Sequence, residues 1–148
     1  MLNRDWIAAH IPHQGNMCLL ERVLEWAPEH IVCEATSHTE ANHPLRANGQ
    51  LSAVHGIEYA AQAMAVHGAL LARGGERPRA GYLVSVRGVH LATQRLDIYK
   101  GPLRVTAQRL SGDALRVLYG FEVFHEQQLL LEGRAAVVLD AGVLEATT

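Results

Sequence analysis

Two hydrophobic periods run along the chain. Over residues 50–74 (QLSAVHGIEYAAQAMAVHGALLARG) apolar residues recur at three- and four-residue spacings with several alanines and no proline, which predicts one long helix. Ser52 is placed to cap its start, and Arg73 before Gly74-Gly75 to end it. Elsewhere strand-like apolar runs, in part alternating every second residue, predict strands at 17–26, 30–36, 82–91, 103–110, 115–125 and 128–139. Turn signals separate them at Pro28-Glu29, Gly101-Pro102, Ser111-Gly112-Asp113 and Glu126-Gln127. Residues 5–10 read as a short helix, broken at Ile11-Pro12; residues 38–48 read as polar and irregular, and 141–148 as a loose tail.

The layout is therefore a strand pair, one helix, then four strands. A helix of about 22 residues spans roughly 33 Å, enough for a sheet to wrap around it. A helix merely stacked on a sheet would carry a more polar outer face than this one does. The expected class is α+β: a curved antiparallel sheet of about six strands around a central helix, the hotdog fold. Gly56 and Gly68 lower helix propensity, so close packing is expected to require them. One polar stripe crosses the helix: His55, Glu58 and Gln62 fall within about 60° of one another at 100° per residue. Polar groups on a buried helix need partners, which makes the stripe the first candidate site.

A length of 148 residues fits one domain, 1–148, with a real core. The formal net charge of −2 lacks the basic excess of a nucleic-acid binder. No apolar run reaches the roughly 18 to 20 residues of a membrane span, and the N-terminal MLNRDWIAAH is unlike a signal peptide, so a cytoplasmic protein without membrane contact is expected. Cys18 and Cys33 fall in predicted strands without metal-type spacing, which reads as two buried thiols in a reducing compartment. No histidine spacing suggests a metal; His10, His30, His38, His67, His90 and His125 read as surface or satisfied core residues. Arginines cluster at Arg73, Arg77, Arg79 and Arg87, either a solvated loop and strand edge or a landing patch for an acidic partner or phosphate.

Several motifs together resemble the β-hydroxyacyl-acyl-carrier-protein dehydratases. Ile11-Pro12-His13 precedes Met17-Cys18-Leu19-Leu20-Glu21-Arg22-Val23, like the family's opening histidine and first strand. Glu58-Tyr59-Ala60-Ala61-Gln62-Ala63 resembles the glutamate-x-x-alanine-glutamine of its central helix, and Tyr82 to Leu96 with Gly101-Pro102-Leu103 resembles the strand and turn that follow. Gly56-Ile57-Glu58-Tyr59 is similar to the helix start in the branch associated with aryl-polyene clusters. The chain departs where the common dehydratases carry a catalytic histidine-phenylalanine-proline-glycine segment: residues 42–51 read NHPLRANGQL.

The resemblance implies dehydration of a 3-hydroxyacyl-carrier-protein thioester to the trans-2-enoyl thioester, in fatty-acid-like or aryl-polyene synthesis. Such chemistry needs a base for the α-proton, an acid for the leaving hydroxyl and donors for the enolate-like oxygen, with no metal or redox cofactor. The substrate would ride on the carrier protein's phosphopantetheine. Glu58 is the expected acid and His13 the first choice of base; His55, one turn before Glu58, and His43, in the altered segment, are the other candidates. Gln62 would fix the carboxylate, and Gly56 would let substrate reach the helix N-terminal N–H groups. Arg77, Arg79 and Arg87 would receive the acidic carrier protein. The family pairs sheet edges, so a homodimer or a heterodimer with a related dehydratase is expected. Two further readings are a hotdog acyl thioesterase using Glu58, and a non-catalytic partner that binds carrier protein or completes another subunit's tunnel.

Overall fold

A computed structural model describes residues 2–13, 15–72, 81–113 and 115–139. Six strands form one antiparallel sheet around a central helix. In chain order they are β1 (Arg22–Ala27), β2 (His30–Ala35), β3 (Gly81–Leu91), β4 (Leu103–Gly112), β5 (Arg116–His125) and β6 (Gln128–Leu139). The spatial order β1-β2-β4-β5-β6-β3 leaves β1 and β3 at the edges. This is the hotdog architecture. Alternation sets the faces: along β5, Val117, Tyr119, Phe121 and Val123 turn inward and are buried, and opposite them stand Val137, Ala135, Gly133 and Leu131 of β6.

The central helix α2 (Gly56–Leu71) continues from a 3-10 turn at Ala53–His55. Ser52 caps that turn, its side chain accepting the Val54 N–H. The continuous α-helix has 16 residues, about 24 Å long, shorter than the sequence expectation because the first turn is tighter and the expected stop at Arg73-Gly74 lies outside the described residues. The helix packs against β2, β3, β4 and β5, which explains why so much of its surface is small or apolar. Tyr59, Ala60, Ala63 and Val66 are fully buried, joining Ile31, Cys33, Leu103, Val105 and Val123 in one core. Burying each large aliphatic side chain contributes about 1.5–3 kcal/mol.

Two expectations are corrected. The first strand starts at Arg22, not residue 17. Residues 15–17 form a 3-10 turn and Cys18, Leu19 and Leu20 enter the core without a ladder, because the backbone of Met17 and Leu19 bonds to a helix side chain instead. Cys33 does lie in β2; both thiols are buried and free, and burial pushes Cys33 up to about 12. The two helix glycines also differ. A Cβ on Gly56 would meet Leu131 Cδ2 at 2.5 Å, so close packing requires glycine there. Among the described residues a Cβ on Gly68 would meet nothing within 4 Å, and none of them calls for glycine there.

The short helix α1 (Arg4–His10) starts from Asn3, whose side chain accepts the Trp6 N–H. The stretch read as irregular is built from turns: a 3-10 turn at Ser37–Thr39 and a tight turn bridging Ala47 and Gln50, with Asn48 (φ 53°) and Gly49 (φ 73°) both left-handed. No helix among the described residues is long and apolar enough to cross a membrane. The expected tail at 141–148 lies outside the described residues.

Candidate active site

The site forms where the segment after α1 meets the first turns of α2. His13 Nε2 lies 3.0 Å from Glu58 Oε1, and both side chains are partly open to solvent. Glu58 also accepts from Gln62 Nε2 at 3.3 Å, the four-residue spacing stacking the two on one helix face. Gln62 is wholly buried. Its Nε2 donates to Met17 O at 2.7 Å and its Oε1 accepts Leu19 N–H at 2.9 Å. One amide thus clamps the segment after His13 onto the helix and steadies the carboxylate that His13 touches. The other nitrogen of His13, Nδ1, is buried and has no partner among the described residues. A buried polar atom left unpaired is a cost, and such costs gather at sites retained for chemistry.

His43 stands in a second network with a fixed direction. Leu45 N–H donates to His43 Nδ1 at 3.1 Å, so His43 carries its proton on Nε2 and donates to the Tyr59 hydroxyl at 3.0 Å. Tyr59 donates to Ser37 Oγ at 2.8 Å, and Ser37 donates to Leu19 O at 2.8 Å. Both faces of the Leu19 peptide are therefore held, its N–H by Gln62 and its carbonyl by Ser37. Desolvation, with Arg46, His55 and His38 nearby, lowers His43 to about 4 and keeps it neutral. Its lone pair is occupied by the Leu45 N–H, which leaves it no free acceptor for a substrate proton.

His55 sits at the N-terminal boundary of α2, half-buried, and makes no side-chain hydrogen bond among the described residues. The start of the helix offers no free donors: Ala53 N–H goes to Gln94 O, Val54 N–H to Ser52 Oγ, His55 N–H to Ser52 O and Gly56 N–H to Ala53 O. The expected approach of substrate at Gly56 meets Leu131 instead. Arg87 is exposed on β3, opposite Arg134 of β6; Arg77 and Arg79 lie outside the described residues.

The structure thus joins His13, Glu58 and Gln62, and sets His43 apart in the Tyr59 network. Sequence reading missed Ser37 and Tyr59; Tyr59 adjoins Glu58 but lies about 100° round the helix from it, and Ser37 has no local signal. His67 is a satisfied core residue, donating from Nε2 to Ala27 O and accepting at Nδ1 from Tyr119, both at 2.7 Å. Among the described residues no group of three His, Cys, Asp or Glu side chains could hold a metal.

Residues 6–146 match the model of the ApeP-like family, described as ApeP dehydratase. No curated protein matches the chain significantly. Among solved structures, the dehydratase heterocomplex ApeI:P from Xenorhabdus doucetiae superposes with a TM-score of 0.83 at 22% identity, covering 100% of this chain and 99% of that one. A mutant thioesterase from Pseudomonas aeruginosa gives 0.59 at 9% identity, over 80% of each chain. A thioesterase from Haemophilus influenzae gives 0.59 at 10% identity, over 80% of this chain and 76% of that one. At these identities the structural likenesses carry the fold alone.

Proposed function

The chain belongs to the ApeP-like dehydratase family, and from that premise we propose that it acts in the dehydration of a 3-hydroxyacyl-carrier-protein to the trans-2-enoyl thioester in aryl-polyene-type synthesis. The observation that carries this reading is the His13–Glu58 contact at 3.0 Å. With substrate between them, neutral His13 takes the α-proton while the Glu58 carboxyl gives its proton to the β-hydroxyl, which leaves as water. The imidazolium and carboxylate so formed restore the starting state by one proton transfer across the same contact. Gln62 is the positioning residue for Glu58, and the Ser37–Tyr59–His43 chain positions Leu19 against Gln62. The acyl group arrives on phosphopantetheine, and Arg77 and Arg79 attract its acidic carrier, while Arg87 stands beside Arg134 on the outer face of the sheet and is left out of this role.

The assembly proposed is a heterodimer with a related dehydratase. Its support is the edge strand β3, whose Leu83, Val84 and Leu91 are 40%, 50% and 42% exposed, apolar side chains on a strand with an unpaired edge. The similar protein from Xenorhabdus doucetiae is itself a heterocomplex. That likeness and the missing histidine-phenylalanine-proline-glycine segment favour a second reading, in which this chain completes its partner's site without doing chemistry.

Mass spectrometry of a 3-hydroxyacyl-carrier-protein separates the two. The protein, alone and with its co-purified partner, is compared with Glu58→Gln, His13→Ala, His43→Ala and His55→Ala variants. Loss of water that disappears in Glu58→Gln and His13→Ala supports the catalytic reading. Full activity of those variants in the complex moves the chemistry to the partner, and release of free carrier identifies a hydrolase.

A further inference from the structure

The outer face of the sheet carries a concavity that the dehydration chemistry does not use. Arg87 of β3 stands directly opposite Arg134 of β6 in the strand register. Both are exposed, while Ala135 and Val137 beside Arg134 turn into the core. Arg134 lies over Gly88, its nearest guanidinium nitrogen 3.6 Å from where a Cβ would stand. Arg116, at the start of β5, joins them in a concavity of about 480 Å³ that Ser85 and Ser111 also line.

Like charges facing across a ladder repel, so this arrangement weakens the sheet unless something neutralises it. Among the described residues none of the three guanidinium groups is in an ion pair. The carboxylate at the rim, Asp113, is engaged with the N–H groups of Leu115 and Arg116 at 2.8 and 3.0 Å, although its charge is also felt by Arg116. On a chain of net charge −2 this is a local concentration of positive charge. It is remote from Glu58: α2 begins against Leu131, which pairs with Leu91 and Val123, whereas Arg116 and Ser85 pair with Val138 and Ala136 toward the other end of β6.

We infer that Arg87, Arg116 and Arg134, with the hydroxyls of Ser85 and Ser111, form a binding site for a phosphate-type oxyanion. Guanidinium forks match phosphate oxygens in pairs, and three of them with two hydroxyls suit an anion with several terminal oxygens better than a lone carboxylate. The concavity is far larger than the anion and has room for an organic group attached to it.

The test is calorimetric titration of the intact chain with inorganic phosphate and with adenosine monophosphate, at constant ionic strength set with chloride. Saturable binding is expected, weakened about tenfold or more by Arg134→Gln and by Arg87→Gln and unchanged by Arg104→Gln elsewhere on the outer face. Since either substitution also removes the cross-strand repulsion, both variants should melt no lower than wild type, which separates lost binding from lost folding. Tighter binding of the nucleotide than of phosphate identifies a monoester as the source of the anion; equal binding identifies the free ion. The inference is overturned if phosphate does no better than chloride, if the arginine variants bind like wild type, or if only an acidic carrier protein saturates these arginines.

Discussion

Gln62 on the central helix accepts the Leu19 N–H at 2.9 Å and returns a hydrogen bond from its own amide to Met17 O at 2.7 Å. These bonds replace a strand ladder at the entry to β1 and bring the segment that carries His13 up to Glu58. Gln62→Leu should leave a buried N–H and a buried carbonyl unpaired, costing about 2–4 kcal/mol. Urea denaturation measures this. In Gln62→Glu the carboxylate still accepts from Leu19 but cannot donate to Met17 and repels Glu58, so both stability and turnover should fall. Unchanged stability in both variants would show that the clamp does not set the fold here.

Glu58→Gln keeps the shape of the side chain and removes the transferable proton. Turnover should fall at least about 100-fold with stability within about 1 kcal/mol of wild type, since the pair is partly exposed. Single-turnover mass measurement beside a thermal melt reads both quantities.

Acid should destabilise the protein well above the range in which carboxylates titrate. His43 is lowered from 6.5 to about 4, and burial lowers His38 and His67 in the same direction. In this window the unfolded chain binds protons that the folded chain refuses, so stability falls as pH drops from 6.5 toward 4. For His43 alone the full loss is on the order of 3 kcal/mol. Urea midpoints at pH 7.5 and pH 5 test the sign. In His43→Gln, which cannot titrate, the dependence should be shallower, and an equal slope would remove His43 as a cause.

The two helix glycines should respond in opposite directions. Gly56→Ala drives a methyl into the Leu131 side chain and should destabilise by about 1–3 kcal/mol. Gly68→Ala, in a helical conformation with nothing within 4 Å among the described residues, should stabilise by about 0.5–1 kcal/mol. Thermal melts of the two variants settle the contrast.

His67 ties α2 to β5 and to the end of β1 through Tyr119 and Ala27. His67→Phe fills the space but abandons both partners in the interior, and a loss of about 2–4 kcal/mol is expected from denaturant unfolding. A silent substitution would mean that water satisfies them.

The sequence determined what depends on local period. The helical repeat of 56–71 and the strand-like runs of β2 to β6 record which faces are buried, because burial repeats with the geometry of each element. Glu58 and Gln62 were legible as partners for the same reason, lying one turn apart on one helix. Tertiary structure decided the rest. That His13 rather than His55 meets Glu58, that His43 reaches Tyr59 instead, and that Met17 and Leu19 bond to Gln62 rather than to a strand all depend on packing between segments distant in the chain. The same holds for the glycines: identical in local sequence character, they differ because Leu131 approaches one of them and no described residue approaches the other.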